Sequence, residues 1–262
     1  MNLKKIADGQ TAEVFSLHGK KVLKLFRPGY TFDDVQLEAE KCALAFKQGL
    51  PTPQVIELVK IDKRQGIVFD KCSGSTMLER LRFQPNDLKV MAEMLAELHI
   101  RIHKCSGKGL PSTHDSTGKK IDHATILDDT VRMHLQEKLA AISSGDSMCH
   151  GDFHPENVLL SDEGPVIIDW FDATMGLPVA DLVRTILLIR FSKLPWDQEE
   201  VNAFKKYKAS FLETYQERYL TLKPLPEQII EQCFPIVAGA RLSENAARGV
   251  AREVLVEIAR KG

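Results

Sequence analysis

The sequence predicts an α+β protein in which a β-rich segment, residues 1–71, precedes a longer helical one, residues 72–262. Three observations carry that prediction. Short alternating apolar runs dominate up to Asp70, and helical stripes take over after Ser75. One polar octet, HGDFHPEN at 150–157, interrupts otherwise apolar sequence.

The β-type runs come first. AEVFSL (12–17) and KKVLKLF (20–26) flank a turn at His18 and Gly19, and QVIELVKI (54–61) and GIVF (66–69) form a second hairpin through DKRQ. Between the two hairpins, FDDVQLEAEKCALAFKQG (32–49) has helical spacing and a Gly49 stop. Further on, NDLKVMAEMLAELHIRIH sets Leu88, Met91, Leu95, Leu98 and Ile102 on one stripe, with Asn86 as its N-cap. Residues 104–120 read as a Gly/Ser/Thr/Lys-rich loop, and 122–142 as a helix leading into the octet. After the octet, VLL and VIID form a tight pair turned by SDEG, and 178–260 is helical.

Composition excludes several classes. Hydrophobic residues make up 44% and charged residues 27%, a soluble globular profile. A net charge of −1 supplies no basic field for nucleic acid or anionic lipid. The five cysteines are odd in number and lack CxxC spacing, which fits a reducing compartment. The N-terminus lacks the apolar core of a signal peptide, and no run is long enough to span a bilayer. The expectation is a cytoplasmic protein with neither nucleic-acid nor membrane partner; oligomeric state is not legible.

The octet admits two readings. A zinc or iron box of His150, Asp152 and His154 needs further ligands. The other histidines offer only His99 and His103, four apart on the Leu-striped helix, where packing and surface is the plainer role. That box also leaves Asn157 and Asp169 without a task. A phosphoryl-transfer loop uses them all. Asp152 lies in a turn stiffened by Pro155 and can reach a hydroxyl, while Asn157 offers a neutral amide oxygen. Asp169 ends an apolar strand. An amide and a carboxylate brought together by the hairpin match what Mg²⁺ takes alongside substrate phosphates.

HGDFHPEN followed by IDWFDA resembles the signature of aminoglycoside phosphotransferases and their choline-kinase-like relatives. The resemblance implies a two-lobed protein-kinase-like fold, with a small β-rich N-lobe (1–71) and a larger helical C-lobe (72–262). It implies ATP and Mg²⁺ as cofactors, Asp152 as catalytic base, and Asn157 and Asp169 as Mg²⁺ ligands. IDW stands where protein kinases carry DFG, and the absence of HRD and APE argues against a protein kinase.

The family also calls for an N-lobe lysine paired with a helix glutamate. Lys24 sits between Leu23 and Leu25, a charge costly to bury unless it holds an anion. Glu40, three after Leu37 and four before Leu44, is its expected partner, with Glu38 the rival; Lys20, Lys21 and Lys41 read as solvated charges. ADGQTAEV (7–14), with Gly9 and Thr11, resembles the phosphate-covering hairpin, although a plain β-turn would look the same and no Walker lysine follows. VFDKCSG (68–74) has the texture of the interlobe hinge, where the backbone of Asp70 and Cys72 would bond adenine. His150 and His154 read as braces for the loop, and Asp181 resembles the family aspartate that anchors it. Tyr207, Phe211, Tyr215 and Tyr219 form a core-facing stripe, or alternatively a cage for a quaternary ammonium.

The function that follows is ATP- and Mg²⁺-dependent phosphorylation of a small-molecule hydroxyl. Loop 104–120 and the helices after Pro195 are the elements expected to wall the acceptor. Residues 178–262 carry 13 Lys/Arg against 11 Asp/Glu, which gives no support for a dedicated polycation surface, although Asp172, Glu244 and Asp115 could form a local acidic patch. A sugar or amino alcohol is at least as good an acceptor as an antibiotic. The alternatives are a nucleotide-binding pseudokinase or, with less support, a metal-dependent hydrolase.

Overall fold

The computed structural model describes residues 4–192, 198–244 and 249–261. Pro195 lies outside them. The elements run β1 (Lys4–Asp8), β2 (Ala12–Leu17), β3 (Lys21–Phe26), α1 (Phe32–Lys47), β4 (Val55–Ile61), β5 (Arg64–Asp70) and β6 (Ser75–Thr76). Next come α2 (Met77–Phe83), α3 (Leu88–His103), α4 (Thr113–Asp122), α5 (Asp129–Ala141), β7 (Ser147–Cys149), β8 (Val158–Ser161) and β9 (Gly164–Ile167). The chain continues through β10 (Thr174–Gly176), α6 (Pro178–Phe191), α7 (Gln198–Leu222), α8 (Glu227–Arg241) and α9 (Val250–Arg260). Two compact units result: Met1–Met77 with Glu156–Phe171, and Leu78–Pro155 with Asp172–Gly262.

The first unit is built on a five-stranded antiparallel sheet in the order β1-β2-β3-β5-β4. β1, which the sequence reading passed over, pairs with β2 and is exposed throughout. Its KKIAD carries one Ile and one Ala among charges, too little apolar signal for a strand pattern. The β4–β5 turn is tighter than DKRQ suggested: Asp62 and Lys63 both take positive φ, the two-residue geometry that suits strand twist. Leu23, Leu25 and Val68 fill one face of the sheet with Phe15, Leu17, Val59 and Ile61.

α1 packs on this sheet against β4 and β5, burying Val35, Glu38, Ala39, Lys41, Cys42 and Ala45. Thr31 and Asp34 close its N-terminus with a reciprocal capping box. At the other end Gly49 takes φ 78°, and Leu50 N–H reaches Ala45 O while Gly49 N–H reaches Phe46 O. That is the paired bonding that ends a helix on a left-handed glycine. The same unit includes the three-stranded sheet β6-β8-β9. Gly74 permits the approach of β6 to β8: a Cβ there would lie 2.2 Å from Leu160 O, on a backbone at φ 145°.

The second unit is helical around a core of Leu127, Leu135, Leu139, Val183, Leu187, Ile236, Val237 and Leu255. Met91, Leu95, Leu98 and Ile102 of α3 are buried as the stripe requires. Asp87, not Asn86, stands at the N-cap position after a short 3₁₀ turn begun at Pro85, and its carboxylate pairs with Arg80 instead of capping the helix. The span 104–120 is only partly loop. Ser112 caps α4 at Asp115 N–H, and Thr113 Oγ1 meets Thr174 Oγ1 at 2.7 Å against β10. Capping and β10 packing outweigh the poor helix propensity of THDSTGKK. The helix read over 122–142 accordingly begins at Asp129, capped by Asp128. Of the aromatic stripe on α7, Phe211, Tyr215 and Tyr219 are buried and Tyr207 is exposed.

Candidate active site

In the first unit, strand alternation sends Lys24 to the face of the sheet that carries α1. Its Nζ lies 2.6 Å from Glu38 Oε1 and 2.9 Å from Asp169 Oδ1. Burial works against the ammonium, yet Glu38 and Asp169 outweigh it and raise the lysine above its ordinary value. The expected partner Glu40 is exposed and bonds Gln36 at 2.8 Å. Leu37 is itself exposed, so the apolar stripe of α1 runs through Val35, Ala39, Cys42 and Ala45, and Glu38 is the acid on that stripe. Burial pushes the Glu38 carboxyl up, and Lys24 opposes it.

Lys41 also departs from expectation. It is buried rather than solvated, and its Nζ donates to Phe171 O at 2.5 Å. Trp170 Nε1 donates to Thr52 Oγ1 at 2.8 Å. These two contacts hold the segment that follows Asp169, whose own backbone sits at φ 65°. Aspartate tolerates that left-handed conformation better than most residues, and such a residue persists only where its surroundings fix it. Ile168 N–H bonds Asn157 O at 3.0 Å, so the hairpin sets Asn157 beside the Asp169 turn. Asn157 is buried, and the Asp169 side chain is 37% exposed. An amide oxygen and a carboxylate are the hard oxygen donors that Mg²⁺ takes, so the pair fits that ion by donor chemistry.

The hairpin 7–14 is clasped by the residue that follows β3. Arg27 Nη2 donates to Gly9 O at 2.8 Å and Nε to Gln10 O at 3.1 Å, and Arg27 N–H donates to Thr11 O at 2.8 Å. Sequence reading gave Arg27 no part. At the proposed hinge, Asp70 ends β5 with its N–H on Gln54 O, and Cys72 follows, half-buried.

The second unit carries Asp152 in a loop that Asp181 anchors. Asp181 Oδ2 accepts from His150 N–H at 2.6 Å and Oδ1 from Gly151 N–H at 3.0 Å. His150 Nδ1 accepts Asp152 N–H at 3.2 Å, which makes it a brace. Gly151 has no room for a side chain: a Cβ would lie 2.3 Å from Asp172 O, at φ 80°. Burial raises the Asp152 carboxyl, but His154, with Arg184 adding charge, holds it well below the usual carboxylate range. His154 Nε2 lies 3.4 Å from Asp152 Oδ2.

His99 and His103 are buried, not at the surface. Their Nε2 atoms lie 3.1 and 3.2 Å from Asp181 Oδ2, and their Nδ1 atoms meet Tyr215 and Tyr219 hydroxyls at 2.6 and 2.7 Å. An ionised carboxylate only accepts, so both Nε2 atoms donate and both tyrosines donate to Nδ1. Burial outweighs Asp181 and lowers both imidazoles, His99 to about 4. Among the described residues these two histidines and Asp181 are the group whose ligand atoms converge, whereas His150, Asp152 and His154 do not. With every ring nitrogen in a hydrogen bond, the group is a bracing network for the loop. The spacing His99–His103 against Tyr215–Tyr219, four and four on two helices, was its signal in the sequence.

The acidic patch expected near the acceptor is neutralised. Glu244 Oε1 lies 2.6 Å from Arg184 Nη1 and 3.1 Å from Lys120 Nζ, and Asp172 lies 3.4 Å from Lys120. Asp115 is exposed in the first turn of α4.

A five-stranded antiparallel N-terminal sheet followed by a helical unit is the protein-kinase-like class of fold, and solved structures agree. A thermostable mutant of aminoglycoside phosphotransferase APH(4)-Ia superimposes at TM-score 0.69 with 16% identity, covering 100% of this chain and 95% of that one. Another mutant of it, in ternary complex with ADP and hygromycin B, gives TM-score 0.64 at 15% identity, covering 100% and 94%. A choline/ethanolamine kinase family protein from Mesorhizobium loti gives 0.62 at 16%, covering 100% and 87%. No curated protein sequence matches the chain. The family model of the phosphotransferase enzyme family matches residues 2–229, and the chain belongs to that family.

Proposed function

We propose that the protein is an ATP- and Mg²⁺-dependent kinase that phosphorylates a hydroxyl of a small molecule. The observation that carries this reading is Lys24, a mostly buried ammonium held between Glu38 and Asp169 beside Asn157. The two carboxylates keep this lysine charged despite its burial, and a fixed ammonium of that kind is suited to neutralise an anionic phosphate. The relative solved with ADP and hygromycin B supports a nucleotide and a small acceptor for this fold.

In this mechanism Lys24 neutralises the α/β-phosphates and Glu38 holds it in position, the role first expected of Glu40. Gly9 and Thr11 lie on the hairpin over the phosphates. Asp70 offers its carbonyl to adenine, its N–H being held by Gln54, and Cys72 offers its N–H. Asn157 and Asp169 would hold Mg²⁺, which supplies charge neutralisation across the phosphates when bound. Asp152 orients the acceptor hydroxyl and accepts its proton as the γ-phosphoryl leaves ADP. The loop bonds from Asp181 fix that carboxylate, and its low pKa keeps it ionised at neutral pH.

The test is ADP release with Mg²⁺ across a panel of sugars, amino alcohols, hydroxy acids and aminoglycosides. Asp152→Ala should cut kcat roughly 10²–10⁴-fold while ATP still binds. Near-normal turnover in that variant would remove the assignment.

A further inference from the structure

Lys120, Arg184 and Arg241 surround Glu244 within the helical unit, next to the loop of Asp152. Arg184 Nε donates to Gly151 O, one residue before Asp152, and its Nη1 takes Glu244 Oε1 at 2.6 Å. Lys120 bridges Glu244 and Asp172, and the Asp172 backbone is packed against Gly151. Both of these cations take the same oxygen of Glu244, Oε1. Arg241, 5% exposed, has its Nε 3.8 Å from Glu244 Oε2, too far for a hydrogen bond. Its Nε and Nη1 are buried with no hydrogen-bond partner among the described residues. Burial, with Arg184 adding repulsion, outweighs Glu244 and Asp152 and lowers this guanidinium to about 10.

The signs decide the kind of acceptor. Setting aside Asp152, which belongs to the reaction, three cations stand against the two carboxylates Asp172 and Glu244 in this cluster of described residues. A polyamine or aminoglycoside brought to Asp152 would meet that excess of positive charge. An acceptor with an anionic oxygen group would relieve it, and a guanidinium fork matches a carboxylate or phosphate in shape as well as charge.

We propose that the acceptor is a small alcohol bearing an anionic oxygen group, a carboxylate or a phosphate, which the Arg241 guanidinium recognises with Arg184 and Lys120 beside it. This rests on the kinase reading above and specifies the substrate class of the same site. Arg241 is on this account a specificity residue, and Glu244 the counter-ion that tempers it.

The experiment measures binding and turnover separately in the full chain. Isothermal titration with D-glycerate and with glycerol 3-phosphate, glycerol and kanamycin serving as neutral and cationic controls, compares wild type, Arg241→Gln and Glu244→Gln. The anionic probes should bind, whichever of the two wins naming carboxylate or phosphate. Arg241→Gln should weaken that probe about ten- to a hundredfold, the loss of charge-assisted bonds. Glu244→Gln should tighten it, a direction that damage to folding would not produce. Equal affinity in wild type and Arg241→Gln, anion binding weakened in Glu244→Gln, or tighter binding of kanamycin than of either anion would overturn the proposal. The same samples are assayed for ADP release. Absence of ATP binding would strike the kinase reading alone, because the anion titration contains no nucleotide.

Discussion

Asp181→Asn is the sharpest perturbation of the loop that carries Asp152, because it preserves shape and changes only what the group can accept. The carboxylate takes four donors: His150 N–H, Gly151 N–H, and the Nε2–H of His99 and of His103. An asparagine has one acceptor oxygen and a donor where the other stood. If the oxygen replaces Oδ2, its three bonds lose charge assistance at roughly 1 kcal/mol each. The amide nitrogen then faces Gly151 N–H, leaving a buried donor unmet at about 1–3 kcal/mol. Relaxation recovers part of this, so the expected loss is about 4 kcal/mol, comparable to breaking a buried ion pair. Urea unfolding should show a lower midpoint at unchanged slope. Turnover should fall with nucleotide affinity preserved within a few-fold, since the damaged bonds set Asp152 and not Lys24. A loss below about 1 kcal/mol with normal kcat would refute the reasoning that Asp181 holds the loop.

Two further outcomes are expected. Glu38→Gln should weaken nucleotide binding about tenfold, one charge-assisted contact, whereas Glu40→Gln should stay within twofold; titration with ATP in the presence of Mg²⁺ reads both, and the reverse order would restore Glu40 as the partner. Acid should destabilise the helical unit before its carboxylates titrate. Unfolded histidine binds its proton near pH 6.5, but folded His99 stays neutral to about 4, so unfolding takes up protons in that window and stability falls as pH drops through it. His99 alone accounts for about 3 kcal/mol, and His103 acts in the same direction. Unfolding midpoints that stay flat from pH 7 to about 4.5 would contradict that account.

Much of this was legible because the relevant signals are local. Strand alternation placed Lys24 opposite Leu23 and Leu25, and the resemblance carried by the octet and IDW pointed to Asp152, Asn157 and Asp169. Helix α1 misled because two leucines, Leu37 and Leu44, suggested a face that the fold leaves exposed at Leu37 and only half-buried at Leu44. Small residues, Ala39, Cys42 and Ala45, line the true one, and they carry little hydrophobic signal per position. Lys41 and Arg27 were illegible for a different reason: Lys41 reaches Phe171 O, and Arg27 reaches the carbonyls of Gly9 and Gln10 besides the Asp8 carboxylate, and sequence does not mark backbone carbonyls. The Asp181 network was half legible. Its anchor was visible, but the pairing of His99 and His103 with two tyrosines some 116 positions away depends on helix packing.

The first unit is assembled from two pieces of chain, and this has a consequence for its birth on the ribosome. Lys24 and Asp169 are 145 positions apart, and β6 waits for β8. At about 5–20 residues per second, on the order of ten seconds pass between the emergence of the N-terminal sheet and that of its completing segment. During that interval Lys24 lacks its second counter-ion and β6 its strand partner. The N-terminal sheet therefore cannot reach its final stability early in synthesis. Nascent chains arrested before Glu156 should leave residues 1–77 open to protease, and chains arrested well past Phe171 should protect them.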